Sequence, residues 1–150
     1  MSPTFSVVIP TYNRASHLPA AIDSVLAQSR VDWELIIVDD GSRDNTKELV
    51  RPFTNDSRIR YHYQENRELN GARNTGVRLA RGTYCCFLDD DDNYEAGHLE
   101  ALTQAITATG GKHGIYRTNM RITGGGIDLI SLPFENDRDA LVQLWQTPRN

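Results

Sequence analysis

The stretch Leu35-Ile36-Ile37-Val38-Asp39-Asp40 sets an uninterrupted apolar run directly before two carboxylates. A short continuous apolar run bounded by turn residues is typical of a buried strand. Phe5 to Ile9 and Tyr84 to Leu88 have the same character, and longer segments of helical period separate these runs. The alternation predicts an α/β domain with a mostly parallel sheet flanked by helices, a Rossmann-like arrangement.

The apolar periods also predict where the individual elements lie. The predicted strands are Phe5 to Ile9, Trp33 to Val38, Ile59 to Tyr63, Thr83 to Leu88, Ile115 to Ile122 and Ile127 to Leu132. The predicted helices run from an N-cap at Ser16 to about Gln28, from Asn45 to Val50, from Gly71 to Arg81, from Leu99 to Gly110 and from Asp137 to Trp145. We expect a single domain over residues 1–150. Because no closing element follows Gln146 to Asn150, we expect it to lack part of its C-terminal half.

Composition limits the partners of this chain. Its 150 residues are 39% hydrophobic and 24% charged, as in an ordinary globular domain. The net charge of −4 argues against nucleic acid or an anionic membrane as a partner. The longest apolar runs are far shorter than the roughly 18 residues of a transmembrane segment. The first residues do not resemble a secretory signal, so we expect a cytoplasmic protein. Cys85 and Cys86, adjacent in a predicted strand, are expected to be unpaired core thiols.

Two acidic clusters follow predicted strands. Asp39-Asp40 comes after one apolar run, and Asp89-Asp90-Asp91-Asp92 comes after another. Ligands of open parallel sheets bind at the carboxyl ends of the strands, which is where both clusters are predicted. Four adjacent carboxylates repel one another, so some should have raised pKa values unless a cation compensates the charge. Mg²⁺ or Mn²⁺ suits such oxygen ligands and also binds diphosphate oxygens. The chain has neither a GxxxxGK[ST] nor a GxGxxG segment, which leaves a metal-bridged nucleotide as the expected ligand.

Four ordered motifs carry a resemblance to a known family. They are Ser6-Val7-Val8-Ile9-Pro10-Thr11-Tyr12-Asn13-Arg14, Glu34-Leu35-Ile36-Ile37-Val38-Asp39-Asp40-Gly41-Ser42, Ala72-Arg73-Asn74-Thr75-Gly76 and Phe87-Leu88-Asp89-Asp90-Asp91-Asp92. In this order the chain resembles the family 2 inverting glycosyltransferases of the GT-A fold, from about Phe5 to Leu102. The resemblance implies a nucleotide-diphospho-sugar donor, most often UDP-linked, with Mg²⁺ or Mn²⁺. It also implies cell-wall or polysaccharide biosynthesis with a glycan, lipid-linked or protein acceptor.

The resemblance also implies roles for individual residues. Pro10, Thr11 and Tyr12 match the loop that cradles the base, with Tyr12 stacked on uracil. Asp40 matches the carboxylate that accepts a hydrogen bond from the base, and Asp39 is its neighbour. Arg73 resembles the basic residue near base and phosphates. Asp89 and Asp91 match positions that contact ribose or sugar, Asp91 and Asp92 match the metal ligands, and Asp90 occupies a variable position.

The catalytic base is not identified by the sequence. In the resembling family it is an Asp in the second half of the domain, and Glu135, Asp137 and Asp139 are candidates here by position alone. One alternative is therefore a nucleotide-sugar-binding module, or the donor-binding portion of a longer enzyme, with little catalysis of its own. Another is a phospho-acceptor signalling domain of flavodoxin-like topology, which also pairs acidic residues at strand ends around Mg²⁺.

Overall fold

A four-stranded parallel sheet forms the centre of the chain. The computed structural model describes residues 2–111, 121–122 and 129–130. The strands of the sheet are β1 (Phe5–Thr11), β2 (Trp33–Asp39), β3 (Ile59–Tyr63) and β4 (Tyr84–Phe87). They are arranged in the order β3-β2-β1-β4, and all neighbouring pairs are parallel. The predicted fold class, a mostly parallel α/β sheet, is confirmed.

In the described part of the chain, four helices connect or follow these strands. They are α1 (Leu18–Leu26), α2 (Thr46–Val50), α3 (Glu68–Leu79) and α4 (His98–Ala108), with a 3₁₀ turn at Phe53–Asn55. No helix in the described part of the chain is long and apolar enough to cross a membrane.

The later residues contain a second, small sheet. β5 (Arg121–Ile122) and β6 (Leu129–Ile130) pair antiparallel, and each lies within a strand predicted from the sequence. The predicted helix from Asp137 to Trp145 lies outside the described residues. Contacts divide the chain into two compact units, residues 1–100 and 101–150. One domain over residues 1–150 stays a prediction.

The core of the first unit lies around β1 and β2. Every residue of both strands is buried, as expected of central strands covered on both faces. On one face, Val8, Ile36 and Val38 pack with Ala72 of α3. Gly76 makes this approach possible, because a Cβ at that position would lie 2.2 Å from Cγ1 of Val8. The close contact brings the start of α3 to the edge where β1 and β2 end.

Several predicted boundaries are shifted. β1 continues to Thr11 and β2 to Asp39, so residues predicted in loops pair within the sheet. α3 begins at Glu68 rather than Gly71, directly after the Arg67 N–H that donates to Asp40 at 2.9 Å. It ends at Leu79 rather than Arg81, because the next residue has an extended backbone.

The predicted N-cap at Ser16 is wrong. The helix α1 starts at Leu18, and His17 is its cap residue. A Ser16 cap would need a free N–H on the second or third following residue. The Leu18 N–H already donates to the Arg14 carbonyl at 3.2 Å, and Pro19 has no N–H. The Ser16 hydroxyl contacts Nδ1 of His17 instead, at 3.1 Å.

The expectation of core thiols is also wrong. Cys85 is exposed and Cys86 is half-buried, although both are free as predicted. They lie in β4, which pairs with β1 on one side and has no second neighbour among the described strands. A strand at the edge of the described sheet leaves side chains exposed that a central strand would bury.

Candidate functional site

A cleft of about 370 Å³ lies at the carboxyl ends of β1, β2 and β4. The strand register brings these ends together, since Thr11 pairs with Asp39, and Val8 of β1 pairs with Phe87 of β4. Its lining comprises Pro10, Thr11, Tyr12, Arg14, Asp40, Asn66, Glu68, Leu69, Ala72, Asp89, Asp90 and Asp91. This edge of a parallel sheet is where ligands of open α/β folds bind.

Most of the residues predicted for the site line this cleft. Those that do are Pro10, Thr11, Tyr12, Asp40, Asp89 and Asp91. Asp39, Arg73 and Asp92 are not part of its lining. The structure nevertheless gives each of these three a defined place beside it.

Tyr12 and Thr11 present different surfaces to the site. Tyr12 is 45% exposed, so part of this aromatic residue is accessible to a planar ligand. Thr11 is buried, and its hydroxyl donates to Asp90 at 2.7 Å. Asn13 follows with a positive φ of 54°, and its N–H donates to the Ser42 hydroxyl at 2.9 Å. The loop after β1 is thereby fastened to the loop after β2.

Asp39 is a buried carboxylate with protein partners. It is 1% exposed, accepts the Tyr61 hydroxyl at 2.5 Å and accepts the Ser42 N–H at 2.8 Å. Burial raises the pKa of Tyr61, and the hydrogen bond to Asp39 raises it further, so this phenol stays a donor. Asp39 therefore joins β2, β3 and the following turn.

Asp40 forms part of the cleft wall and holds the loop before α3. Its carboxylate accepts Nε2 of Gln64 at 2.6 Å and the Arg67 N–H at 2.9 and 3.1 Å. Gly41 follows with φ of 91°, a conformation that L side chains rarely adopt, and a Cβ there would meet the Asn66 nitrogen at 3.1 Å. The turn after β2 therefore requires glycine to keep Asp40 against this loop.

The acidic run is compensated by arginines on two sides. Arg73 of α3 donates to Asp89 at 2.6 Å, and Arg14 of the loop after β1 forms a close ion pair with Asp91. Arg14 also lies 3.5 Å from a carboxylate oxygen of Asp90. The hydrogen bond from Arg14 lowers the pKa of Asp91 below its usual value.

The other two carboxylates of the run have raised pKa values, as the sequence predicts, but burial is the largest cause for both. Burial raises the pKa of Asp90, although its hydrogen bond from Thr11 opposes the shift. Partial burial, together with the charges of Asp91 and Asp89, raises the pKa of Asp92. Among the described residues no donor contacts the Asp92 carboxylate, so its negative charge lacks a partner.

Arg73 carries an unsatisfied donor. Its Nε is buried without a hydrogen-bond partner in the described part of the chain, while Nη2 is bound to Asp89. Its guanidinium also lies 5.8 Å from the centre of the Phe87 ring. The group is therefore held in place on two sides, next to the acidic run.

The carboxylates of the acidic run supply the oxygen ligands that a divalent cation prefers. No group of three or more His, Cys, Asp or Glu side chains in the described ranges is arranged to hold a metal ion. Mg²⁺ sites, however, commonly use one or two protein carboxylates and take further oxygens from water and substrate phosphates. Asp92 and the neighbouring Asp91 fit a site of that kind, because the Asp92 carboxylate has no hydrogen-bond donor among the described residues. A diphosphate would supply the remaining oxygens.

Sequence reasoning missed several residues of this cleft. The motif around Tyr12 gives Arg14 no role, and the resemblance leaves Asp90 at a variable position. Asn66, Glu68, Leu69 and Ala72 lie in or just before α3, outside any predicted site. Only the folded chain brings this helix start beside the strand ends, since no local pattern marks it.

The family model described as Glycosyl transferase family 2 matches residues 6–126. The chain belongs to this family, and it is an enzyme domain of the glycosyltransferase type. The resemblance and the kind of enzyme expected from the sequence are confirmed.

Relatives of the chain are themselves glycosyltransferases. An uncharacterized glycosyltransferase EpsJ of Bacillus subtilis (strain 168) is 40% identical over 105 residues, which are 69% of this chain and 30% of that protein. The chain thus spans less than a third of this relative.

Two solved structures share the fold. Staphylococcus aureus TarS 1–349, solved in complex with UDP-GlcNAc, matches with a TM-score of 0.65 and 23% identity over 82% of this chain and 40% of that one. The mannosyltransferase PcManGT of Pyrobaculum calidifontis, in complex with GDP-Man and Mn²⁺, matches with a TM-score of 0.65 and 25% identity. That match covers 71% of this chain and 33% of the other.

Proposed function

We propose that the chain binds a UDP-linked sugar in the cleft at the ends of β1, β2 and β4, and that the sugar is transferred with inversion to an acceptor hydroxyl. One observation carries the proposal. The cleft combines an exposed aromatic ring, Tyr12, with the carboxylates of Asp40, Asp89 and Asp91. A nucleotide sugar presents a flat base and N–H and O–H donors, which such a surface complements, while its diphosphate would pair with Arg73 and a divalent cation.

The proposed contacts follow the chemistry of the lining. Tyr12 stacks on the base, and Asp40, flanked by Pro10 and Thr11, accepts a base N–H. The guanidinium of Arg73, held beside the acidic run by its ion pair with Asp89, contacts the phosphates, since guanidinium groups pair well with phosphate oxygens. Asp89 and Asp91 contact the ribose or the sugar, and the buried Asp39 supports this wall indirectly.

A divalent cation, Mg²⁺ or Mn²⁺, would be held by Asp92 and Asp91. When bound it would compensate the negative charge on the diphosphate leaving group. Two observations support Asp92 as a ligand. Its carboxylate has no hydrogen-bond donor among the described residues, and burial and neighbouring charge raise its pKa. PcManGT, in which Mn²⁺ accompanies GDP-Man, shares the fold, which supports the proposal.

A second candidate is a donor-binding module with little transfer activity of its own. The four aspartates that line the cleft, Asp40, Asp89, Asp90 and Asp91, all have protein partners. In this proposal Asp40, Asp89 and Asp91 contact the donor and Asp90 is buried against Thr11, so none of the four is assigned as the base that takes the proton of an acceptor hydroxyl. The base would then come from another part of the enzyme. Candidates by position are Glu135, Asp137 and Asp139, which lie outside the described residues. The acceptor, whether a glycan, lipid-linked or protein, would be chosen by that part of the enzyme.

Calorimetric titration of UDP into the purified chain, with and without Mn²⁺, tests the donor site. GDP and ADP serve as comparison nucleotides. We expect UDP to bind more tightly than either, with an affinity that increases when Mn²⁺ is present. Absence of binding by all three nucleotides would overturn the proposal. Incubation with UDP-sugars and mixed acceptors then separates the candidates, because a binding module would release no UDP.

A further inference from the structure

A short segment after the acidic run is fastened along α1. We define it as the anchored segment, residues 93–99, which ends in the first turn of α4. It contacts α1 itself and the residues Gln28 and Ser29 that follow the helix. The hydrogen bonds are Tyr94 N–H to the Ser24 hydroxyl at 3.0 Å, Gln28 Nε2 to the Glu95 carbonyl at 2.8 Å, Ser29 N–H to the Ala96 carbonyl at 2.9 Å and Leu99 N–H to Gln28 Oε1 at 3.0 Å. In the orientation that satisfies its side-chain amide, Asn93 also donates through Nδ2 to the Ala20 carbonyl at 2.9 Å.

Gln28 is the centre of these contacts. Its side chain is only 6% exposed, so its amide must be satisfied within the protein. Nε2 donates to the Ser24 and Glu95 carbonyls, and Oε1 accepts the Leu99 N–H. The buried amide therefore closes the end of α1 and holds both ends of the loop between Glu95 and α4.

The anchored segment begins directly after Asp92. On its other side, the acidic run is held by β1, because the Leu88 N–H donates to the Val8 carbonyl at 3.1 Å. Between these two attachments, the Asp92 N–H closes a turn onto the Asp89 carbonyl at 3.0 Å. The Asp92 carboxylate has no hydrogen-bond donor among the described residues, so its position depends on the backbone on either side of it.

We propose that Gln28 is a positioning residue that sets the place of Asp92 through the anchored segment, and so tunes the metal-dependent part of nucleotide binding. This inference rests on the proposed function. The base-binding part of the cleft, Tyr12 and Asp40, lies on the loops after β1 and β2 and does not depend on Gln28. Loss of the Gln28 contacts should therefore weaken the metal effect and leave metal-free UDP affinity unchanged.

Three variants test the inference. Gln28→Met keeps the approximate volume and removes all three hydrogen bonds. Gln28→Glu keeps an acceptor for Leu99 but loses the amide donor to Glu95, and we expect an intermediate effect. Val50→Ala is the control for a general loss of stability, because Val50 is a buried residue of α2 that takes no part in the hydrogen bonds of the anchored segment.

Two measurements on each variant separate the possible outcomes. Hydrogen exchange of the ligand-free chain should show faster exchange at Tyr94 and Leu99 in Gln28→Met than in Val50→Ala. Titration of UDP with and without Mn²⁺ should show a reduced Mn²⁺-dependent gain in affinity, with about 10- to 100-fold, the effect of removing a group bonded directly to a metal ligand, as the upper bound.

Each alternative result has one meaning. Unchanged exchange would overturn the anchoring role of Gln28 whatever the binding data show. Faster exchange with an intact Mn²⁺-dependent gain would overturn the positioning of Asp92. An equal loss of UDP affinity with and without Mn²⁺ would do the same, because it would indicate general disruption. If the parent chain gains no UDP affinity from Mn²⁺, the proposed metal-assisted function itself fails, and the role given to Gln28 fails with it.

Discussion

The hydroxyl of Thr11 donates to the carboxylate of Asp90 at 2.7 Å, across a separation of 79 residues, and both side chains are buried. The contact joins the end of β1 to the acidic run after β4. It gives Asp90 a structural role, since its charge is oriented within the protein while Asp91 and Asp92 remain more exposed. The acidic run is therefore divided between a buried anchor and accessible carboxylates.

Replacing Thr11 by Val should destabilise the fold, because it keeps the side-chain shape but leaves the buried Asp90 carboxylate without its hydroxyl donor. We expect a loss of about 1–3 kcal/mol in the free energy of unfolding, measured by urea denaturation at pH 7. Burial already raises the pKa of Asp90, so protonation should relieve the penalty and make the loss smaller at pH 4. Thr11→Ser, which retains the hydroxyl, is the control, and an equal loss in both variants would contradict the hydrogen-bond role.

Gly76→Ala should destabilise the packing of α3 on the sheet. The new methyl would lie 2.2 Å from Cγ1 of Val8, and no shift of a flexible side-chain end relieves it. Overpacking of this kind costs about 1–3 kcal/mol, more than the roughly 1 kcal/mol that Ala gains over Gly in helix propensity. Gly97→Ala is the matched control, because a Cβ there meets nothing within 4 Å. Equal thermal midpoints for the two variants would exclude the close approach.

Glu34→Gln should remove an acid-sensitive part of the stability. Burial alone would raise the pKa of Glu34, but hydrogen bonds from Ser6 at 2.6 Å, the Arg81 N–H at 2.6 Å and Arg60 at 2.7 Å hold that pKa below its usual 4.5. A lowered folded-state pKa stabilises the fold above pH 4.5, and the contribution is lost as pH falls through the folded-state value.

The Glu34→Gln variant should therefore be less stable than the parent at pH 7, by about 1–3 kcal/mol. The difference should shrink as pH falls below 4.5. Urea denaturation at pH 7, 5, 4 and 3 measures it, with the exposed Glu65→Gln as the control. A difference that stays constant over this range would show that the charge of Glu34 does not contribute.

The sheet was predictable from sequence because β1 and β2 are continuous apolar runs, and their pattern needs no partner to be recognised. The position of β4 at the edge of the described sheet was not predictable. The apolar run of β4 suggested core thiols, and Cys85 is exposed because one side of this strand has no described neighbour. An apolar pattern predicts that a strand forms, whereas the exposure of its side chains depends on the elements that surround the strand in the folded chain.

The candidate site shows a similar division. Asp40 and the acidic run could be placed at strand ends from their order along the chain. The partners that orient them could not, since the Arg67 N–H reaches Asp40 from 27 residues away and Arg14 reaches Asp91 from 77 residues away. Asp39 and Asp40 are likewise adjacent in sequence and both buried, but only Asp40 lines the cleft, while Asp39 is bound by Tyr61.

Tyr12→Ala should lower UDP affinity if the exposed ring stacks on the base. Loss of a base-stacking aromatic costs about 1–3 kcal/mol, equivalent to roughly a 5- to 150-fold weaker dissociation constant. Tyr63→Ala is the control, since Tyr63 is also exposed, at 54%, and does not line the cleft. Calorimetry of both variants at saturating Mn²⁺ makes the comparison, and equal affinities would leave Tyr12 without a binding role.

Asp92→Asn should have opposite effects on stability and on binding. The raised pKa of Asp92 means that the folded state holds this proton more tightly than the unfolded chain, so ionisation at pH 7 costs stability. Removing the charge should stabilise the metal-free chain at pH 7 by about 0.2–1 kcal/mol, a small gain because solvent screens an exposed group. The gain should vanish as pH falls through 3.8, where both states take up the proton.

The same Asp92→Asn variant should lose the Mn²⁺-dependent gain in UDP affinity while retaining its metal-free affinity. Urea denaturation without metal and calorimetry with and without Mn²⁺ measure the two effects on one preparation. Asp23→Asn, an exposed position on α1, should change neither. A more stable variant that still gains affinity from Mn²⁺ would remove Asp92 from the metal site, whereas a less stable one would contradict the crowding of charge in the acidic run.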